Sequence, residues 1–455
     1  MRLLSVNPAT GEPLADYPQD SDHALDGKLN AIAVAARDWR HAPFAFRSER
    51  LRAIARRFQS RANELARLMA LEMGKPVTQG LAEIEKCAAT CEYFAEHAPA
   101  FLQTESVPTE AQRSFVAFNP LGVVLAIMPW NFPFWQVIRC AAPALMAGNG
   151  VILKHASNVT GCAIALGDLF RDGVSDPTPF DAVLASSDRL PGLIAHPAVA
   201  ALALTGSVQA GRSVAALAGA ALKKCVLELG GSDAYVVLHD ADIALAAKTC
   251  ARARLVNSGQ SCIAAKRFIV LPAVRREFEE CFFGHLAAAK IGDPLDPGTE
   301  VGPLARPDLR LELHELVTRS VQQGARCALG GRVPEGRGTF YPATALTDVA
   351  PAHPVFQEET FGPVAAVCPA ATENQALNLA NQSRFGLGGA IFSQDVERAT
   401  VLARDHFDAG ACFVNTFVRS DARLPFGGIK ESGYGRELGI AGIREFVNIK
   451  SVMVD

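Results

Sequence analysis

Four absences set the first limits on this chain. No stretch approaches the roughly 20 uninterrupted apolar residues that a membrane-spanning helix needs, and the opening Met-Arg-Leu-Leu-Ser-Val-Asn-Pro lacks the apolar segment of a secretory signal. The chain therefore reads as cytoplasmic, with no membrane partner. Charge of one sign is also missing: the net charge is −3, with Lys and Arg scattered among Asp and Glu, so no basic face is offered to a phosphate backbone and nucleic acid is not an expected partner. Eleven cysteines include no Cys-x-x-Cys and no Cys/His cluster at zinc spacing, which argues against a disulfide framework and against a metal site. Cys87 and Cys91, four apart on a predicted helix, read as two small buried residues. Finally, no Gly-x-Gly-x-x-Gly occurs, which argues against the usual dinucleotide-binding loop.

What is present is enough for a large core. The chain has 455 residues, 49% hydrophobic and 20% charged, and its length predicts two or three domains. Asn7-Pro-Ala-Thr-Gly-Glu12 is a turn signature, and Ser48 to Ala98 is rich in Ala, Leu, Arg and Glu at helical spacing. From Ser114 the pattern becomes strand, turn, strand, and the second strand is apolar on both faces, as in a buried parallel sheet. Short apolar runs at 150–154, 200–205, 224–228 and 234–238 alternate with Ala-rich helical stretches, which predicts a doubly wound α/β sheet. A second alternation from Arg267 to about Asn415, broken by the Pro/Gly-rich loop at 292–298, predicts a second α/β domain.

Three segments are badly composed for a core and well composed for a reaction. Met128-Pro-Trp-Asn-Phe-Pro133 sets an amide between two prolines at a strand end, where ligands of such sheets bind. Leu227-Glu-Leu-Gly-Gly-Ser232 follows an apolar strand with a lone carboxylate and then two glycines that let backbone come close. Desolvation there raises a carboxyl pKa toward the range useful to a base. Asn257-Ser-Gly-Gln-Ser-Cys262 carries a thiol on a Gly-bearing turn, followed by a helix-like Ala-Ala-Lys-Arg. Cysteine is the strongest nucleophile near neutral pH once its thiolate is stabilised.

These three segments, followed by Glu358-Glu-Thr-Phe-Gly-Pro-Val364 and by Phe-Gly-Gly-Ile-Lys-Glu-Ser-Gly after Pro425, resemble the aldehyde dehydrogenase superfamily in order and spacing, from Asn7 nearly to the C-terminus. The resemblance implies an enzyme that oxidises an aldehyde to a carboxylate through a thioester. Cys262 is the implied nucleophile, Asn131 with the Cys262 backbone N–H the implied oxyanion holder, and Glu228 the base that activates water. Glu437 resembles a second carboxylate used in proton relay by some members, with a structural ion pair as the alternative reading. For NADP or NAD, the implied residues are Lys154 on the adenosine ribose, Gly206, Ser207 and Gly211 near the diphosphate, Glu359 on the nicotinamide ribose, and Phe361 and Trp130 beside the ring. Ser157 stands where NAD-selective relatives often carry an acid that repels a 2′-phosphate, so acceptance of NADP is expected, with NAD also used.

Within the superfamily the segments at 153–158, 221–233 and 420–423 resemble succinate-semialdehyde dehydrogenases. Arg139 and Ser420 match positions that bind the distal carboxylate, and Phe132 and Trp135 would line the tunnel. A second arginine of those relatives is replaced here by Val256, for which Arg423 is a candidate substitute. Glutarate semialdehyde or another small aldehyde is the alternative substrate. Intact Glu228 disfavours transfer of the acyl group to coenzyme A, and the presence of all three catalytic residues disfavours a non-enzymatic role on the same scaffold.

The resemblance also implies an architecture. The expected cofactor domain is residues 1–100 and 123–231, the catalytic domain 232–430, and a small β oligomerisation element 101–122 with 431–455. Exposed strands of such an element pair between subunits, so a homodimer or homotetramer is expected.

Overall fold

The computed structural model describes residues 2–173 and 178–455. Two sheets organise it, each grown outward from a buried parallel centre. In the first, the strands run in the order Gly433–Tyr434, Lys224–Glu228, Val199–Thr205, Val123–Met128, Gly150–His155 and Phe180–Val183. All neighbours are parallel except the first pair. Val123–Met128 and Gly150–His155 are buried along their whole length, which explains why they are apolar on both faces rather than alternating. The chain winds one way from Val123–Met128 through Phe180–Val183, then returns to lay Val199–Thr205 on the other side. The C-terminal ends of Val123–Met128 and Val199–Thr205 therefore flank a topological switch point, the place where open α/β sheets leave a crevice for a ligand.

The second sheet has the order Arg326–Leu329, Thr344–Thr347, Val364–Pro369, Arg267–Val270, Ala234–Val237, Gly388–Phe392 and Ala411–Val414, and only its first pair is antiparallel. A third, antiparallel sheet joins Val447–Val454, Arg113–Pro120 and Glu105–Ser106. Part of the 431–455 segment departs from the expected partition: Gly433–Tyr434 adds an edge strand to the first sheet instead of joining the third. Gly433 has φ +112, and a Cβ there would come 2.0 Å from the Leu227 carbonyl oxygen, so only glycine lets this edge dock.

The helical opening section is longer than its residue pattern indicates, with helices Asp22–Trp39, Phe44–Ser60, Ala62–Met73 and Val77–Phe101. Ser21 caps the first by accepting from the Ala24 N–H. The Asn7–Glu12 turn closes a hairpin between Arg2–Val6 and Pro13–Pro18. Cys87 and Cys91 lie fully buried in Val77–Phe101, as unpaired thiols. Helix Trp135–Met146, buried at every residue, begins at the switch point and packs between that helix and the first sheet.

Candidate active site

The turn that leads to Cys262 is held in a conformation that needs many partners. Asn257 and Ser258 adopt left-handed backbone (φ 54 and 56), followed by Gly259 at φ +75. A Cβ on Gly259 would meet the Gly362 carbonyl carbon at 2.3 Å, so the turn presses against the Glu358–Val364 segment. Such strain persists only where the surroundings over-determine it. Here the Asn257 N–H donates to Gln79 Oε1 at 2.7 Å, the Ser258 hydroxyl accepts from the Gly302 N–H, and Arg254 donates to the Gly259 carbonyl.

The helix expected after Cys262 is absent, because Lys266 turns back and its Nζ donates to the carbonyls of Ser261, Cys262 and Ala264 at 2.9–3.0 Å. Those three carbonyls take a buried ammonium in place of helical N–H groups.

The oxyanion candidate joins the same turn. Asn131 Nδ2 donates to the Gln260 carbonyl at 3.1 Å, and Asn257 Nδ2 donates to the Asn131 carbonyl at 2.7 Å. His155 braces the segment from behind: its Nε2 bonds the Pro133 carbonyl at 2.9 Å, and its Nδ1 accepts from the Ala156 N–H. Burial pushes this imidazole down to about 4, so it is neutral.

Cys262 faces a cavity of about 840 Å³ also lined by Phe132, Trp135, Arg139, Ser420 and Phe426. Its exposed surface meets the cavity and not bulk solvent, and burial pushes the thiol up to about 12, against a downward pull from Arg139 and Lys266. A thiol held protonated in this way needs a base to take its proton before it can attack.

Glu228 lies at the end of its strand, 2% exposed, with both carboxylate oxygens free of hydrogen bonds. Burial raises its carboxyl well above the usual range; Arg139 opposes this and Glu437 adds to it. The glycines after it serve close approach: a Cβ on Gly230 would lie 2.4 Å from Glu359 Oε2, and one on Gly231 would lie 2.6 Å from the Cys262 carbonyl oxygen. Gly231 N–H in turn donates to Glu359 Oε1 at 3.0 Å.

Around the first sheet's switch point, Ser207 caps helix Val208–Ala220 by accepting from the Ala210 N–H, with Gly206 before it and Gly211 buried within its first turn. Lys154 lies one residue before the end of the strand Gly150–His155, and its largely buried amine has one partner among the described residues, the Ser187 hydroxyl at 3.4 Å. Ser157 opens the short 3₁₀ turn that follows. Trp130 and Phe361 meet edge to face at 5.7 Å.

The two arginines expected at the substrate end sit differently. Arg139 is fully buried, but its guanidinium is ion-paired with Glu437, donates to Thr205 Oγ1 and lies 4.7 Å from the Phe426 ring centroid. Of the two readings of Glu437, the ion pair is the one present. Arg423 does not reach the cavity at all: it is solvent-exposed and forks onto Asp421, which draws the guanidinium outward.

Sequence reasoning also passed over one helix face. Gln79, Glu83 and Lys86 on Val77–Phe101 line the cavity. Glu83 Oε1 accepts the N–H groups of both Phe134 and Trp135 at 2.9 Å, which places a carboxylate on the positive end of Trp135–Met146. It also forms a buried ion pair with Lys75. The signal was available: polar residues at i, i+4 and i+7 on the side of a helix that otherwise buries Ile84, Cys87 and Cys91.

This arrangement is matched across the whole chain by the aldehyde dehydrogenase family, whose model aligns with residues 2–452. The chain belongs to the aldehyde dehydrogenase family. It is thus an oxidoreductase. A succinate semialdehyde dehydrogenase [NAD(P)+] of Escherichia coli is 46% identical over 99% of this chain and 98% of its own length. A probable succinate-semialdehyde dehydrogenase [NADP(+)] of Synechocystis is 45% identical over the full length of both. Among solved structures, the succinic semialdehyde dehydrogenase of Streptococcus pyogenes in complex with NADP+ superimposes with a TM-score of 0.97 at 34% identity, covering 99% of each chain.

Proposed function

We propose that this aldehyde dehydrogenase oxidises succinate semialdehyde to succinate with NADP or NAD. The observation that carries the substrate reading is the charge of the cavity leading to Cys262. Lys86 and Ser420 line it, with Arg139 already paired with Glu437, and Lys248, Arg252 and Arg419 stand exposed around it, whereas its acids are Glu83, already paired with Lys75, and Glu300. Such a lining favours a small aldehyde that carries a carboxylate. The E. coli and Synechocystis relatives support the same reading by name.

The residues at the switch point fit a nicotinamide dinucleotide. A helix N-terminus behind Gly206 and Ser207 suits a diphosphate, the under-partnered Lys154 suits a ribose, and Glu359 and Phe361 lie on the Cys262 side. Ser157 sets no carboxylate against a 2′-phosphate. When bound, the nicotinamide supplies the hydride acceptor.

The protein's own residues account for the remaining chemistry. Glu228 takes the Cys262 thiol proton, the sulfur bonds to the aldehyde carbon, and the carbonyl π pair moves onto oxygen. Asn131 Nδ2 and the Cys262 N–H hold that oxyanion; one such donor is worth about 3 to 4 kcal/mol. After oxidation the acyl group is a thioester on Cys262. Glu228 first releases the thiol proton to solvent and, as the carboxylate again, deprotonates a water, whose oxygen bonds to the acyl carbon as the C–S bond breaks and the sulfur leaves as the Cys262 thiolate.

The test is kcat/KM for succinate semialdehyde, glutarate semialdehyde and butanal with each cofactor. Succinate semialdehyde is expected to lead, and neither cofactor should be favoured by more than about a hundredfold, roughly 2.7 kcal/mol. Butanal as the best substrate would remove the substrate reading, and a rate that requires coenzyme A would replace hydrolysis by acyl transfer.

A further inference from the structure

The carboxylate end of the cavity holds a cation without a counter-charge. Lys86 is half-buried, one helical turn beyond Glu83, and forms no ion pair among the described residues. Its Nζ donates to Ser420 Oγ at 2.7 Å and lies 4.0 Å from the Trp135 ring centroid. The acids around it are committed elsewhere: Glu83 to Lys75 and to the start of helix Trp135–Met146, and Asp421 to Arg423. Arg139, the arginine nearest in role, is committed too, to Glu437. A partly desolvated ammonium left unpaired beside a hydroxyl and an aromatic face is costly unless an anion arrives to meet it.

From this we propose that Lys86, with Ser420 as the second donor and Trp135 as the platform that orients it, is the primary anchor of the substrate's distal carboxylate, while Arg139 serves the Glu437 and Glu228 side of the cavity. The proposal rests on the reading of the substrate as an ω-carboxy aldehyde.

The charge state follows from the surroundings. Burial and the nearby Arg139 bring the Lys86 ammonium down to about 8, against Cys87, Glu83 and Asp421, which favour the charged form. As pH rises through that value the ammonium is lost, and with it the grip on a carboxylate.

The decisive measurement compares wild-type enzyme with Lys86→Met and Lys86→Arg, using succinate semialdehyde and butanal. Loss of one charge-assisted pair is expected to lower the semialdehyde-to-butanal ratio of kcat/KM about ten- to hundredfold in Lys86→Met, mainly through KM. Lys86→Arg should restore part of it. In wild type the same ratio should fall above pH about 8, and in Lys86→Arg it should stay level. A wild-type preference for the semialdehyde that Lys86→Met leaves intact overturns the role of Lys86 alone, as does an equal loss for both aldehydes.

No wild-type preference would instead overturn the substrate reading. The Lys86 site is then judged by competitive inhibition with succinate, whose Ki must rise at least tenfold in Lys86→Met for the inference to stand.

Discussion

Glu228 is the residue whose setting most directly predicts behaviour. Its buried, hydrogen-bond-free carboxyl is raised, so the basic form that both proposed deprotonation steps need is present above that raised value and lost as pH falls through it. The turnover rate is therefore expected to rise with pH on its acid limb. Glu228→Gln should abolish that limb and lower steady-state turnover about 10²- to 10⁴-fold. A burst of reduced nicotinamide at undiminished steady state in the variant would remove Glu228 as the hydrolytic base.

His155 gives a second residue-scale prediction. Its imidazole titrates at about 4 when folded and near 6.5 when free, so the unfolded chain binds the extra proton between those values. The associated stability is fully present above pH 6.5 and lost progressively as pH falls toward 4, an effect on the order of 3 kcal/mol. Urea midpoints measured from pH 7 to 4 should fall more steeply for wild type than for His155→Gln.

At the scale of elements, helices Val77–Phe101 and Trp135–Met146 act as one unit. Glu83 reaches from the first to cap the second, and its ion pair with Lys75 is almost wholly buried. Glu83→Gln leaves the Lys75 ammonium buried without its partner, which is expected to cost about 3 to 5 kcal/mol in denaturant unfolding. The same change should loosen Trp135 and Arg139 and raise KM. An unchanged unfolding midpoint would show that the capping pair contributes nothing.

The periodicity of Ser48 to Ala98 announced helices, and the unbroken apolar run of Val123–Met128 announced a central strand. Neither pattern carries the information that Glu83 accepts from a backbone N–H 51 residues later, at the start of another helix. That contact is a matter of packing, and local spacing is blind to it.

At the scale of the whole molecule, Val447–Val454 pairs with Arg113–Pro120 along one edge only, and its other edge is open. Ile449 and Met453 on it are 62% and 63% exposed. An open strand with apolar side chains recruits another strand, so a homodimer or homotetramer is expected. Sedimentation equilibrium should return a multiple of the 48.3 kDa chain, and Ile449→Lys with Met453→Lys should shift it toward one chain. A wild-type mass of one chain would refute the assembly.

The order of five motifs, the two α/β sheets and the candidates for nucleophile, oxyanion amide and base are legible in the sequence itself, because each rests on local composition and order along the chain. Tertiary structure alone decided which charges are already spent. Arg139 is neutralised by Glu437, some 300 residues later, and Arg423 is drawn outward by Asp421. Lys86, on a helix with the periodicity of an ordinary core packer, is left beside Ser420 without an ion pair among the described residues. Ion pairing depends on distances through space, and a carboxylate's partner is settled only when the strands and helices that carry both have been packed.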